Sequence, residues 1–151
     1  MGFLIILFTF LGMEAVAWLT HKYIMHGVLW ILHEDHHVKT KGHVHVEKND
    51  SFFLIFAIPS ILLFALFQFK HLHWALYIAS GITLYGIAYF FVHDIFIHQR
   101  FKFFRLSDSI YLRAIRKAHK MHHKHLTRFN GESFGMLLVP FKYFREMRKA
   151  N

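Results

Sequence analysis

Three stretches of the chain are almost unbroken in apolar side chains, and the polar residues are crowded into the blocks between and after them. Phe3 to Leu19 is 17 residues with one charge, Glu14; Phe52 to Phe69 is 18 with none; Trp74 to Val92 is 19 with none. A membrane-crossing helix needs about 20 predominantly apolar residues, with about 17 as a lower limit. The pattern therefore predicts an all-α integral membrane helical bundle with spans at about 3–19, 52–69 and 74–92. The first span stands where a signal peptide would, but it lacks a basic leader and runs straight into a polar block that the domain needs, so it is expected to be retained. Composition agrees: 55% of residues are hydrophobic and only 18% are charged. A single membrane-embedded domain over 1–151 is expected, with no linker, no solenoid-period repeat and only Pro59 and Pro140 as prolines.

Charge then orients the spans. Of the 18 Lys and Arg residues, four lie between Thr20 and Ser51 (Lys22, Lys39, Lys41, Lys48), thirteen lie from Arg100 onward, and only Lys70 sits in the turn joining the second and third spans. Cytoplasmic loops carry the excess of basic residues. Both basic blocks are thus expected in the cytoplasm, with the N-terminus and the Lys70 turn on the other side of the membrane. Nucleic-acid binding, which net charge alone would suggest, fits poorly, because the aromatics lie in the spans and the cations follow topology.

The polar blocks are rich in histidine. Ten of 15 histidines fall into four clusters: His21 and His26; His33, His36 and His37; His93 and His98; His119, His122 and His123. Parity brings them together, since the second and third spans form a hairpin that returns the chain to the side where the first span delivered it. Imidazole is the commonest metal ligand among side chains, so a membrane-bound metal centre is expected on the cytoplasmic face. With zero cysteines, any metal must be held by nitrogen and oxygen. On a regular helix at about 100° per residue, each triplet at i, i+3, i+4 forms one ligand face. The i, i+5 pairs are about 140° apart, so their members should address different metals, which suggests two, or else require a local distortion. If the first helix ran unbroken to His37, then His26, His33 and His37 would form one stripe; Gly27 is a possible interruption.

Blander readings apply to the other histidines. His71 and His73 in the outer turn, His43 and His45 in the polar loop, and His125 read as interfacial or solvated residues. Mere compositional bias does not explain the ten, because a pair precedes a triplet twice with the same internal spacings. Glu14, as the ionisable residue inside a span, should face the bundle interior and pair there with a histidine, Tyr or Ser hydroxyl. Glu14, Asp94 and Arg100 are candidates to orient imidazoles from behind; Glu34 and Asp35 could do so or remain solvated. No residue beyond the metal ligands is assigned a catalytic role.

These residues carry a family resemblance. Gly12-Met13-Glu14-Ala15-Val16-Ala17, His21-Lys22-Tyr23-Ile24-Met25-His26-Gly27, Asn49-Asp50, Tyr85-Gly86, Val92-His93-Asp94, His98-Gln99-Arg100, Ala118-His119-Lys120-Met121-His122-His123 and Ser133-Phe134-Gly135 resemble the membrane-bound histidine-motif oxygenases of the fatty acid hydroxylase and sterol desaturase type. Within them the likeness is to the bacterial β-carotene hydroxylase family, from Gly12 to about Pro140. The lack of a preceding plastid-type transit peptide favours a bacterial source. The resemblance implies two iron ions held by the ten histidines, O2 as co-substrate, and hydroxylation of β-ionone rings at C3, taking β-carotene through cryptoxanthin to zeaxanthin.

Ligand type alone does not select iron over copper, nickel or zinc, but hydroxylating an unactivated C–H bond requires redox chemistry that zinc cannot supply. The full set of soluble di-iron bundles, a Glu from each of two helices plus Glu-x-x-His motifs on the other two, is absent. No flavin or nicotinamide fingerprint is present, so electrons are expected from another protein, a ferredoxin-like electron donor. The basic C-terminal region reads mostly as topogenic, lipid-facing charge and, alternatively, as a dock for that acidic donor. The carotenoid would reach the site through the bilayer, with Gly81, Tyr85, Gly86, Tyr89 and Phe90 of the third span as a wall of its route or as a helix-packing surface. The alternatives are a fatty acyl or sterol hydroxylase or desaturase with the same histidine site and, less favoured, a non-enzymatic membrane metal-binding protein, which would need ligands near mid-membrane.

Overall fold

The computed structural model describes residues 1–38, 46–101 and 107–149 and is all-helical, with no strand among the described residues. His43 and His45 lie outside the described residues. Helix α1 (Gly2–Leu19) continues into a π-helical segment (Thr20–Val28), kinks at Gly27 (φ −128°, ψ −111°), and restarts as α2 (Trp30–His37). A 3-10 turn (Lys48–Asp50) leads into α3 (Ser51–Lys70), and α4 (His73–Tyr89) runs into a second π-helical segment (Phe90–Ile97). Helices α5 (Ile110–His122) and α6 (Phe141–Lys149) complete the chain.

Among the described residues, three continuous helical stretches are long and apolar enough to cross a membrane: Gly2–Val28, Lys48–Lys70 and His73–Ile97. The first and third run further than hydropathy alone implies, because each π-helical segment continues its span into the histidine region. Few of the span residues are buried, and side chains such as Phe3, Phe8, Leu11, Phe53, Ile61 and Leu62 are exposed. In water such a surface would aggregate; in a bilayer it is the lipid-facing surface.

Small residues let the spans approach closely. Helix α4 packs against both α1 and α3; Ala75 and Ala79 are fully buried, and a Cβ at Gly81 would stand 2.8 Å from the Ile6 carbonyl oxygen and 2.6 Å from Thr9 Cβ. Gly81 therefore serves α1–α4 packing rather than the wall of a cavity. Between α3 and α4, Ser60 Oγ donates to the Ala79 carbonyl at 3.0 Å and bonds Thr83 Oγ1 at 2.8 Å, an interhelical polar contact of the kind lipid-embedded helices use.

Outside the spans, α5 is amphipathic and starts at Ser109, whose hydroxyl accepts from Leu112 N. It buries Ala114, Ile115, Ala118, His119 and His122. Helix α6 packs on it through Tyr143, Phe144 and Met147, leaving its cations exposed.

Glu14 ties the segment between α5 and α6 to the membrane helices. Its Oε1 accepts from the backbone N–H groups of Met136, Leu137 and Leu138 at 2.8–2.9 Å, and Oε2 accepts from Tyr85 OH at 2.7 Å. The tyrosine agrees with the sequence reading; the three amides could not be read from it, and among the described residues Glu14 makes no hydrogen bond to a histidine. A Cβ at Gly135 would stand 2.6 Å from Glu14 Oε1, so only glycine lets the backbone close over the carboxylate. Ser133, at φ 58°, makes the preceding left-handed turn.

This latch gives a stability prediction. Orphaning a buried donor costs about 1–3 kcal/mol, so Glu14→Ala, which orphans three, should destabilise the detergent-solubilised chain by on the order of 3 kcal/mol or more. Glu14→Gln, which keeps an acceptor oxygen, should lose less. Thermal unfolding followed by circular dichroism checks this; an alanine variant as stable as the parent would refute the latch.

Candidate metal centre

The two His-x4-His pairs sit on the two π-helical segments. In a π-helix the N–H of residue i+5 bonds the carbonyl of residue i, and the His98 N–H donates to the His93 carbonyl at 2.9 Å. One wider turn replaces the 140° offset and puts both members of a pair on one side. His21 and His26 rings lie 5.1 Å apart and His93 and His98 rings 4.4 Å apart, between centroids. The distortion is thus the outcome, and the members of a pair do not address different positions.

All ten clustered histidines converge at the end of the bundle opposite the Lys70 turn. Two compact groups could each hold a metal ion: His21, His26, His33, His37 and His122 form one, and His36, His93, His98 and His119 the other, with ligand atoms in each group all within 4.8 Å of one another. In the first, Nε2 of His33 lies 3.0 Å from Nε2 of His21 and 3.1 Å from that of His37, and His26 and His122 Nε2 atoms are 3.2 Å apart. In the second, His36 and His93 Nε2 atoms are 3.1 Å apart, and His119 Nε2 is 2.9 Å from those of His98 and His123. His123 stands beside the second group, against His119, but outside the four whose ligand atoms all lie within 4.8 Å of one another.

Neither triplet is a single ligand face. His33 and His37 turn to one group and His36 to the other; His119 and His123 turn to one and His122 to the other. The reason is the helix itself: i and i+4 share a line, while the i+3 member lies on the adjoining line facing the neighbouring group. Each group is therefore a π-helical pair, an i, i+4 pair from the helix that follows it, and one histidine crossed over from the other half of the chain. The groups are neighbours, with the His37 and His123 rings stacked at 4.3 Å.

The outward nitrogens show which atoms point inward. Nδ1 of His21, His26 and His122 donates to the carbonyls of Phe134 (2.9 Å), Leu126 (3.2 Å) and Glu132 (3.0 Å), and His33 Nδ1 donates to Asn49 Oδ1 at 2.6 Å. His36 Nδ1 donates to Glu47 Oε2 at 2.8 Å, and His93 Nδ1 lies 3.3 Å from Asp94 Oδ2. With the proton on Nδ1, each Nε2 presents a bare lone pair to others about 3 Å away. Burial, reinforced by the neighbouring imidazoles, holds His36, His37 and His119 well below the ordinary histidine range; burial above all takes His33 to about 3 and His122 to about 2. Protonation does not relieve the crowding. A buried nest of neutral imidazoles with lone pairs directed at common points fits a borderline transition-metal cation.

Behind the imidazoles runs a charged network that the sequence only partly disclosed. Arg100 binds Glu47 at 2.8 Å, Asp50 at 2.8 Å and Asp94 at 3.1 Å. Gln99, at φ 53°, turns the chain so that Arg100 reaches back, and the Arg100 N–H donates to the Asp94 carbonyl. Burial raises the Glu47 carboxyl above its ordinary value while Arg100 opposes the rise. Asp94 and Arg100 were singled out by their adjacency to histidines; Glu47 was not, and the only signal for Asn49 was the Asn49-Asp50 dipeptide before α3. Asp35 accepts from Lys48 N–H at 2.7 Å and Glu34 is exposed, so neither backs an imidazole through these contacts. The Phe134, Leu126 and Glu132 acceptors are main-chain carbonyls and leave no trace in side-chain identity. His71 and His73, at the far end of a 20-residue helix, are exposed and remote, at about 30 Å by helix rise.

A cavity of about 620 Å³ leads from the spans to this centre, lined mainly by apolar side chains of α1, α3 and α4. Met13, Phe56, Ile82 and Tyr85 form its body, and His21 and His93, one from each group, stand on its wall. Tyr85, Gly86, Tyr89 and Phe90 of the expected wall line it; Gly81 does not.

Residues 6–142 match the family described as fatty acid hydroxylase. The chain is 43% identical over 138 residues to a β-carotene hydroxylase of Pantoea ananas, covering 91% of this chain and 77% of that protein. It is 39% identical over 142 residues to one from Paracoccus sp. (strain PC1), covering 91% and 84%, and 38% identical over 135 residues to a chloroplastic β-carotene 3-hydroxylase of Gentiana lutea, covering 85% and 40%. No solved structure matches the chain. An all-helical membrane bundle that gathers ten histidines at the end of an apolar cavity, matched along nearly its whole length by one family, belongs to the fatty acid hydroxylase family.

Proposed function

We propose that this chain is a membrane β-carotene 3-hydroxylase, a single-domain, non-haem di-iron monooxygenase whose ten clustered histidines are the metal ligands. The observation that carries the reading is the apolar cavity ending on His21 and His93, since it would bring a lipid-dissolved substrate to both histidine groups. The names of the relatives supply the substrate class. The overall reaction balances as R–H + O2 + two electrons + two protons giving R–OH + water, repeated on the second ring to take β-carotene through cryptoxanthin to zeaxanthin.

When bound, the two irons would supply the O2 activation that amino-acid side chains cannot. His21, His26, His33, His37 and His122 would hold one, and His36, His93, His98, His119 and His123 the other. The remaining residues bind and exclude. Phe56, Ile82 and Tyr85 provide an apolar wall for a hydrocarbon ring. Tyr89, whose ring lies 4.8 Å from that of His93, closes the space beside the centre. Glu14 holds the segment 136–138, which follows Phe134, so the carbonyl orienting His21 is itself fixed.

The histidine end is proposed to face the cytoplasm of a bacterial inner membrane, following the basic residues. Lys120, Lys124, Lys142, Arg145, Arg148 and Lys149 are exposed around α5 and α6, a surface suited to an acidic ferredoxin-like donor.

Expressed in a bacterium that accumulates β-carotene, the chain should convert it to cryptoxanthin and zeaxanthin, read by chromatography of the pigments. His36→Ala should abolish or nearly abolish conversion, whereas His73→Ala should leave it near the parent level. Unchanged β-carotene in cells holding folded, iron-loaded protein and a competent donor, or hydroxylated acyl chains instead, would overturn the carotenoid reading.

Gly86 offers a test of the route. A Cβ there meets nothing within 4 Å, and the residue lines the cavity. Gly86→Leu should reduce turnover by roughly tenfold or more, as misplacement of a substrate does, without lowering the unfolding temperature. Full activity in that variant would exclude this cavity as the substrate's path.

A further inference from the structure

The two histidine groups are alike in their imidazoles and unlike in what stands behind them. In the first group the outward nitrogens of His21, His26, His33 and His122 meet three main-chain carbonyls and one side-chain amide, all uncharged. His37 Nδ1 in that group is buried without a partner among the described residues. In the second group, His36 and His93 meet the carboxylates of Glu47 and Asp94. Neither carboxylate belongs simply to an ion pair beside the site. Glu47 Oε2 is shared by His36 Nδ1 and Arg100 Nη2, while Asp94 gives Oδ2 to His93 and Oδ1 to Arg100 Nε. Arg100 also holds Asp50, whose Oδ2 accepts from the Glu47 backbone N–H.

We infer that the two metal positions are chemically inequivalent, the group of His36 and His93 binding its ion more tightly than the group of His21 and His33, with Glu47 and Asp94 responsible and Arg100 as the positioning residue that keeps both carboxylates in place. This rests on the two-metal reading above. A carboxylate that accepts the Nδ1 proton makes the imidazole a stronger donor at Nε2, and partners of this kind change metal affinity about 10- to 100-fold. Three carboxylates against one guanidinium also leave the layer behind the second group net negative. The first group has only the dipoles of carbonyls and an amide. The imidazoles in front of that layer, His36 and His93, are buried, so the difference in charge is only partly screened where they lie.

The test is cobalt(II) binding to the metal-stripped, detergent-purified full chain, by equilibrium dialysis against graded chelator with the metal counted per chain. The parent should bind two equivalents in two affinity classes. Glu47→Gln should weaken the tighter class about 10- to 100-fold and leave the weaker one near its parent value. Asn49→Asp, which places a carboxylate behind His33, should tighten the weaker class and draw the two together. Damage to the fold would weaken both classes in parallel, so selectivity is the readout that a structural role would not move. Two equivalents of equal affinity in the parent, parallel weakening in Glu47→Gln, or an unchanged weaker class in Asn49→Asp would overturn the inference. A single equivalent in the parent would instead overturn the two-metal reading beneath it.

Discussion

Ten clustered imidazoles, with ring nitrogens turned toward one another at about 3 Å, are the constraint around which this chain is built. Within each group, Nε2 atoms approach to about 3 Å while Nδ1 protons are committed to carbonyls, an amide and carboxylates. Buried lone pairs at that separation repel, and burial disfavours the protonated form that would otherwise relieve them. A cation at each focus would convert the repulsion into coordination. The irregularities of the backbone follow from the same need: both spans abandon α-helical geometry for π-helical turns where they must place histidines five residues apart on one side, and the kink at Gly27 redirects α2 so that its own histidines face the first pair.

The apolar half of the molecule serves that centre from the other direction. Close packing at Ala75, Ala79 and Gly81 binds α4 to its neighbours, while Gly86 and the residues around it leave a cavity that ends on both histidine groups. Glu14 couples the two halves. Anchored in α1, it gathers three amides of the segment after Ser133-Phe134-Gly135, and that segment carries the carbonyl that orients His21. A charge within a span, costly if unpaired, thus fixes an element outside it.

Much of this was legible in the sequence. Uninterrupted apolar runs disclosed the three spans, parity and charge put the clusters together, and repeated spacing separated the ten histidines from His71, His73 and His125. Regular-helix geometry failed at two points. It set members of the i, i+5 pairs apart, where the π-helical turns bring them together, and it treated each triplet as one face, where the i+3 member crosses to the other group. Partners that orient the ring were legible only when they were side chains adjacent to a histidine, as with Asp94 and Arg100. Glu47 meets His36 from 11 residues away in sequence, and the Phe134, Leu126 and Glu132 carbonyls have no side-chain signature at all. Gly81 and Gly86 look equivalent in sequence and differ only in what lies opposite them: a helix backbone for one, open space for the other.

Whether imidazole nitrogens alone would surround bound metal is read by X-ray absorption at the iron edge of the iron-loaded, purified chain. The expected result is a shell of nitrogen scatterers with the outer-shell features of several imidazoles per ion, about five on average if all ten histidines ligate two ions. An environment dominated by oxygen, with one imidazole or none per iron, would contradict it.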